Sequence, residues 1–523
     1  MALNLTVPAL EDKPLINAET RPPKILEFLA KLPSSPLDAA SVLQEEMEIL
    51  NRQKVSPDNR FKALEIYRDH AANIVKNLAP SYCSASLPLP KEAKAYAAAA
   101  ESLWLELAYG YKLTLTDQVN KLFNLNSKTT ALTIHRAMEA LQQLSMAYYQ
   151  TYFSVPSNVW SDLHQLYYHS VQQSLHEIPL QVDGSESSIN LLYKQILLMS
   201  IADPQHLAPQ DIELVADYIA RFAKHTQLQD LGQLENPAGI FVVNLDDEKP
   251  PVPYIKNTRQ TDGGSDILFI TVELARLVHQ HLQMLQSGNI PRNSGLPESA
   301  TDGRYQEMLV YLIKHWGVSP KRIYKRSSKN NVSQLGIGLS AAHFFINNEK
   351  FYKQPTDEQT LGLSSFNNNE GNASKSAIKF SNWQVLNISA GGTALRKFPT
   401  VSAQVRVGDL LSVKNEDEKS WAVAVLRWAS NGEQEQLDIG TQLIAPNAKA
   451  CGVRVVNSEL YEPALILPAI PAIKQATSLI TRTGFYAPAR VLELDEQGTI
   501  SRIMITKLVE RTRSFERFQF SIL

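Results

Sequence analysis

The sequence predicts an α+β multidomain protein: an N-terminal all-helical domain, then an antiparallel β-barrel, then a further C-terminal β module. Three observations carry this. From about Lys24 to His225, apolar residues recur at helical spacing. Near "NPAGIFVVNLDDEKPPVPYIK" the texture turns to a β-rich run closed by turn residues. Beyond about residue 319, short strand-like runs such as "WQVLNIS", "SWAVAVLRWAS" and "RVLELDE" alternate with Gly, Asn and Asp turns, the mark of a barrel or sandwich. At 523 residues the chain also exceeds what one hydrophobic core organises.

The elements follow in order. Residues 1–20, rich in Pro, Asp and Glu, read as a flexible tail. Residues 21–235 form the helical domain. In "ALTIHRAMEALQQLSMAYYQTYF", Ile134, Met138, Leu141, Tyr148 and Tyr152 share one helix face. "INLLYKQILLMSIADP" is apolar nearly all round and predicts a central, buried helix. Residues 236–318 read as a hairpin at Ile240–Val243, a helix over "DILFITVELARLVHQHLQMLQSG" stopped by Gly288, a linker, and a short helix "YQEMLVYLIKHWG". The barrel is expected at 319–448, with a polar, Asn- and Ser-rich insertion at about 346–377. Residues 449–523 are expected as a smaller second barrel or sheet packed on the first.

Composition excludes several functions. A net charge of -2 and a pI near 6.6 argue against bulk nucleic-acid or membrane-surface binding, so any anion site is local. Cys83 and Cys451 lie far apart and suggest neither a disulfide framework nor a metal site. The chain shows neither a signal-peptide pattern nor a long apolar run, and a cytoplasmic protein is expected. His279 and His281 are two apart and so leave a helix on different faces, a poor metal pair. His164 and His169 read as flanking a tyrosine-rich packing face. "GIGLSAA" lacks the helix and acidic partner of a dinucleotide fold, and Walker, G-x-S-x-G and H-E-x-x-H sequences are absent. The chain therefore reads as a non-enzyme without cofactor or metal.

One stretch departs from this evenness. "SPKRIYKRSSKNN" carries Lys321, Arg322, Lys325, Arg326 and Lys329 with almost nothing apolar to fold around. Alone, it reads as a solvated loop. It stands, however, just before the run "VSQLGIGLSAAHFFI", taken as the first barrel strand, and Arg322 and Arg326 form R-x-x-x-R. Further on, "NISAGG" supplies N-x-S-x-x-G with Asn387, Ser389 and Gly392. By itself this is an ordinary turn composition.

An R-x-x-x-R loop before a barrel, followed by [D/N]-x-S-x-x-G at a strand end, resembles the PilZ domain, a family that binds the bacterial second messenger cyclic di-GMP. "VRVGDLLSV", "AVAVLRWAS" with Arg427 and Trp428, and "LDIGTQLI" around Gly440 resemble the later strands of that family in order. The resemblance covers about residues 319 to 446. It implies a PilZ-like antiparallel barrel and cyclic di-GMP bound by Arg322, Arg326, Asn387, Ser389, Gly391 and Gly392, with Lys321 and Lys325 as lesser contacts. By family analogy it also implies a receptor whose helical domain acts on a protein partner in motility, pili, adhesion or polysaccharide output, without nucleic acid or membrane insertion.

The chemistry suits the residues. Cyclic di-GMP is a dianion with two guanines; a planar guanidinium pairs bidentately with phosphate or with guanine O6 and N7, and stacks on purines. Asn and Ser at a strand end offer directional hydrogen bonds, and Gly permits close approach. Two departures stand out: the gap from Arg326 to Asn387 is longer than is usual in the family, and Asn387 replaces the more frequent Asp. Two other readings of the same residues are a protein-interaction scaffold with a degenerate PilZ-like barrel and a nucleic-acid binder using the basic loop. The R-x-x-x-R spacing recurs at Arg513 and Arg517, expected to face solvent.

Overall fold

The computed structural model describes every residue except 1–2, 120–125, 232–237, 256–264, 289, 291–292, 318–326, 328–330, 356–377, 433–434 and 472–474. Two compact units result: Met1–Ala85 with Leu89–Lys321, and Ser86–Pro88 with Arg322–Leu523.

The first unit begins with α1 (Pro22–Leu29), α2 (Pro36–Asn51), α3 (Pro57–Cys83), α4 (Lys91–Val119), α5 (Ser127–Gln150) and α6 (Ser157–Gln172). Ser35 and Ser56 each precede a proline and accept a hydrogen bond from a first-turn amide, so α2 and α3 start where cap and fixed φ coincide. Ile134, Met138 and Leu141 of α5 are buried together as the spacing predicts. Tyr152 lies past the helix end, where its hydroxyl donates to the Leu207 carbonyl at 2.8 Å. α7 (Ile189–Ile201) is the buried helix expected from its apolar sequence, packed on α5, α6 and α8 (Pro209–Phe222).

Four features of this unit differ from the sequence reading or extend it. The domain is not all helix: β1 (Leu180–Val182) and β2 (Ser185–Ser187) form a hairpin. Its turn, Asp183–Gly184, has φ of 50° and 81°, the Asp-Gly pairing that two-residue hairpins favour. The hairpin expected at Ile240 is present as antiparallel β4 (Ile240–Asn244) and β5 (Val252–Pro253), but it belongs to a four-stranded sheet in the order β3 (Gln227–Asp230), β6 (Asp266–Ile270), β4, β5. "DILFI", read as the start of a helix, is strand β6, because its β-branched and aromatic residues pair along the whole of β4. α9 (Val272–Ser287) starts only after it, and α10 (Gly303–Gly317) packs on α7, α8 and α9. Residues 3–20, read as a tail, are held to the helices. Asn4 and Gln165 exchange hydrogen bonds at 3.0 and 3.2 Å, and the Thr6 amide donates to Asp162, which pairs with buried Lys112 at 2.6 Å.

The second unit holds two closed, antiparallel six-stranded barrels. The first comprises β7 (Val332–Ile337), β8 (Ser381–Ser389), β9 (Gly392–Lys397), β10 (Leu410–Asn415), β11 (Ala422–Asn431) and β12 (Leu437–Ala445), in the order β10-β11-β12-β9-β8-β7. α11 (Leu339–Ile346) follows β7. The sequence reading took β7 and α11 as one strand. Gly338, at φ +87° with its amide bonded to the Leu410 carbonyl, ends the strand and lets "LSAAHFFI" wind into a helix. The second barrel comprises β13 (Lys449–Val455), β14 (Glu462–Leu467), β15 (Ser478–Thr481), β16 (Val491–Glu496), β17 (Thr499–Arg511) and β18 (Glu516–Ile522), in the order β13-β14-β15-β18-β17-β16. The expected smaller module is thus a closed barrel.

The second barrel has its own core of Val453, Leu479, Leu492, Ile503 and Phe518. Another cluster spans both barrels, joining Leu410, Val423 and Val425 to Leu465, Ile480 and Phe515 around Ala342 of α11. The described start of the insertion docks on the second barrel as well. The Tyr352 hydroxyl donates to Asp495, and Gln354 exchanges hydrogen bonds with the backbone of Tyr461 at 2.9 and 3.0 Å.

Candidate functional site

Asn387, Ser389, Gly391 and Gly392 occupy the end of β8, the two-residue turn Ala390–Gly391 and the start of β9, with Ser389 paired to Gly392. Their presentation depends on one extra residue. Val385 pairs with Leu395 but Asn387 pairs with Ala394, so β8 bulges at Leu386. In a regular strand Asn387 and Ser389 would share the face of Trp383 and Val385, which are buried. The bulge shifts the alternation, and both polar residues leave the core face and stay half-exposed.

The turn itself is pinned to β12. Gly392 has φ +152°, and a Cβ there would lie 1.8 Å from the Thr441 carbonyl oxygen, so no other residue fits. The Leu443 amide donates to the Gly391 carbonyl at 3.0 Å, and the Thr441 hydroxyl donates to the Thr393 carbonyl at 3.0 Å. The Ser389 hydroxyl donates to the Gly392 carbonyl at 3.2 Å, closing the turn on itself. No described residue hydrogen-bonds the Asn387 side chain.

Arg322, Arg326, Lys321 and Lys325 lie outside the described residues. Ser327, the residue after Arg326, is described, and it reaches the turn strand. The Ser327 amide donates to the Ile388 carbonyl and the Ile388 amide to the Ser327 carbonyl, both at 3.0 Å. Ile388 stands between Asn387 and Ser389. The two halves of the motif, far apart in sequence, are therefore stitched by an antiparallel bridge one residue from Arg326.

Sequence reading missed the support around this turn. Gln442, between Thr441, which bonds Thr393, and Leu443, which bonds Gly391, accepts from Arg427 Nε at 2.7 Å. Arg427 also pairs with Glu510 on β17 of the second barrel. Asp438 and Arg396 form a two-pronged pair at 2.7 Å across β12 and β9, raising the arginine pKa. No spacing rule points to these contacts, because they depend on strand pairing and on the packing of one barrel against the other.

The second R-x-x-x-R has a different fate. Arg513 is exposed, but Arg517, expected to face solvent, is buried within β18. Its Nε donates to the Ser478 hydroxyl at 3.0 Å. Burial lowers the pKa of this guanidinium, with Glu510 opposing the shift. The correction follows from register: Arg517 pairs opposite Ile480 on β15, a buried strand.

Comparison with known proteins covers the whole architecture. Residues 23–234 match the family model "Cyclic-di-GMP receptor FimW, N-terminal domain". Residues 240–378 and 352–450 match its middle PilZ domain, and 451–523 its C-terminal beta-barrel domain. The chain belongs to the FimW family. It is 23% identical to the cyclic-di-GMP receptor FimW of Pseudomonas aeruginosa, an alignment covering 99% of this chain and 93% of that protein. The PilZ resemblance read from the motifs is thereby established, and the helical half, in which the sequence reading found no familiar module, is the FimW N-terminal domain. The middle FimW match begins at residue 240 and so takes in β4, β6, α9 and α10, although α10 packs with α7 and α8.

Proposed function

We propose that this protein is a cytoplasmic cyclic di-GMP receptor. Its first barrel captures the nucleotide between Arg322 and Arg326 on one side and Asn387, Ser389, Gly391 and Gly392 on the other, with Lys321 and Lys325 adding charge. The observation that carries the reading is the Ser327–Ile388 bridge, which ties the residue after Arg326 to the strand presenting Asn387 and Ser389. A side-chain amide with no partner among the described residues, a hydroxyl and a tight glycine turn, together with the two arginines in the sequence before Ser327, suit a ligand with phosphates and purine edges together. That the similar Pseudomonas aeruginosa protein is a cyclic-di-GMP receptor supports the same ligand.

The boundary between the two compact units falls between Lys321 and Arg322, inside the basic segment. Nucleotide bound by Arg322 and Arg326 is the signal, and a difference in contacts between bound and free states is what shifts a protein's output. The helical unit passes that shift to a protein partner in pili, motility, adhesion or polysaccharide output. Neither role calls for catalysis.

Isothermal titration of cyclic di-GMP into the purified protein tests this, with Arg326→Ala and Ser389→Ala alongside and GTP as control. Saturable heat that collapses in the arginine variant is the expected result. Absence of heat from folded protein at high ligand concentration sinks the receptor reading and leaves the scaffold.

A further inference from the structure

We propose that the helical unit carries a second binding site, separate from the barrel: a cavity between α3, α5, α7 and α8 that takes a small, neutral, planar molecule with hydrogen-bonding edges. The cavity encloses about 360 Å³, at the low end of small-molecule pockets, roughly 300–1,000 Å³. A cyclic dinucleotide is too large and too charged for it.

The walls favour flat apolar faces. Tyr82, Trp104, Met146, Ile196 and Met199 line the space, supplying aromatic rings and adaptable thioethers. Amides then interrupt these walls. Gln142, Gln143 and Gln195 open onto the cavity, and among the described residues their side chains have no protein hydrogen-bond partner. Gln150, buried at the same wall, accepts from the Tyr82 hydroxyl at 3.5 Å and donates to Glu213 at 3.3 Å, both long contacts that leave capacity unused. A void formed only by imperfect packing is apolar and dry. This one gathers several half-exposed amides, free of protein partners among the described residues, beside aromatic rings.

The donor set narrows the ligand. A primary amide offers a donor and an acceptor side by side, which suits groups with the same pairing: carboxamides, lactams and nucleobase edges. Charge is balanced at the mouth, where exposed Lys76 and Glu213 have opposite signs. Among the described lining residues there is no arginine, and the Lys76 charge is offset by Glu213, so the cavity does not select for an anion.

Saturation-transfer NMR on the full-length protein decides the matter, with nicotinamide and adenine as probes and nicotinate and benzene as controls. Nicotinamide or adenine is expected to receive saturation, and Ala216→Phe, which fills the cavity from α8, to remove it. Gln143→Leu with Gln195→Leu keeps the volume and should weaken the neutral probes about tenfold, while nicotinate binds about tenfold more weakly than nicotinamide. The glutamine variants carry the test even if Ala216→Phe melts early. Benzene binding as well as nicotinamide, with indifference to both glutamine changes, would reduce the site to an apolar hole and overturn the proposal. So would the absence of any probe signal sensitive to these changes. A wild-type nicotinamide response with no cyclic di-GMP heat would sink only the receptor reading.

Discussion

The two barrels share strand number, antiparallel pairing and closure, and each has a pair of arginines four residues apart. In the second barrel the polar groups satisfy one another. Arg517 is buried on Ser478, while Glu516 accepts from Arg511 and from the amides of Gly484 and Tyr486. In the first barrel a bulge turns Asn387 and Ser389 off the core face, and Ser327 is brought beside them. Spacing on the chain is thus a weak guide to binding. What separates the pairs is the strand position: one arginine follows the register into a buried ladder, while the other precedes a bridge to a bulged edge.

The largest way to break the contrast is Gly392→Ala. The new methyl would meet a backbone carbonyl, which cannot swing aside. A loss of about 3 kcal/mol in urea unfolding is expected, together with loss of cyclic di-GMP binding by titration. Gly452→Ala in the second barrel meets first the Tyr352 ring, a side chain rather than backbone, so its cost should be smaller and nucleotide binding should survive. Equal damage from the two would mean that the turn is not specially constrained.

The arginines come next. Arg517→Ala removes a buried guanidinium and should cost about 2–3 kcal/mol of stability while leaving the folded variant able to bind nucleotide. Arg326→Ala should do the reverse, weakening nucleotide about tenfold or more with little change in melting temperature. Arg513, exposed, should tolerate alanine on both counts. Ser389→Ala follows, losing one hydrogen bond within the turn and about 1 kcal/mol of binding.

Much of this contrast was legible in the sequence, and the reason it was not all legible is physical. Helical periodicity exposed α5, an apolar run exposed α7, and motif order exposed the turn, because all are local signals. The Leu386 bulge left no mark, since one residue more or less in a strand alters pairing without altering composition. β6 was hidden because "DILFI" runs into "TVELARLV" with no breaker, and only pairing with β4 separates them. The burial of Arg517 was invisible for a similar cause: a charged residue in an alternating strand looks solvated until barrel closure supplies Ser478.

The finest test concerns whether the second barrel serves the turn of the first. Arg427 joins Gln442 to Glu510, and Gln442 sits between Thr441 and Leu443, which bond Thr393 and Gly391 at the turn. The pair is partly exposed, so its own contribution is about 0.5–1 kcal/mol and declines with salt. A double-mutant cycle with Arg427→Gln and Glu510→Gln should return a coupling of that size. Glu493 offers the control: it pairs with Arg454 at comparable exposure, and with the more exposed Arg502, wholly within the second barrel. Glu493→Gln should therefore lower the melting temperature as much as Glu510→Gln does. Only Glu510→Gln should also weaken cyclic di-GMP, by about two- to fivefold. If both variants bind nucleotide like the wild type, the second barrel stabilises the first without positioning its turn.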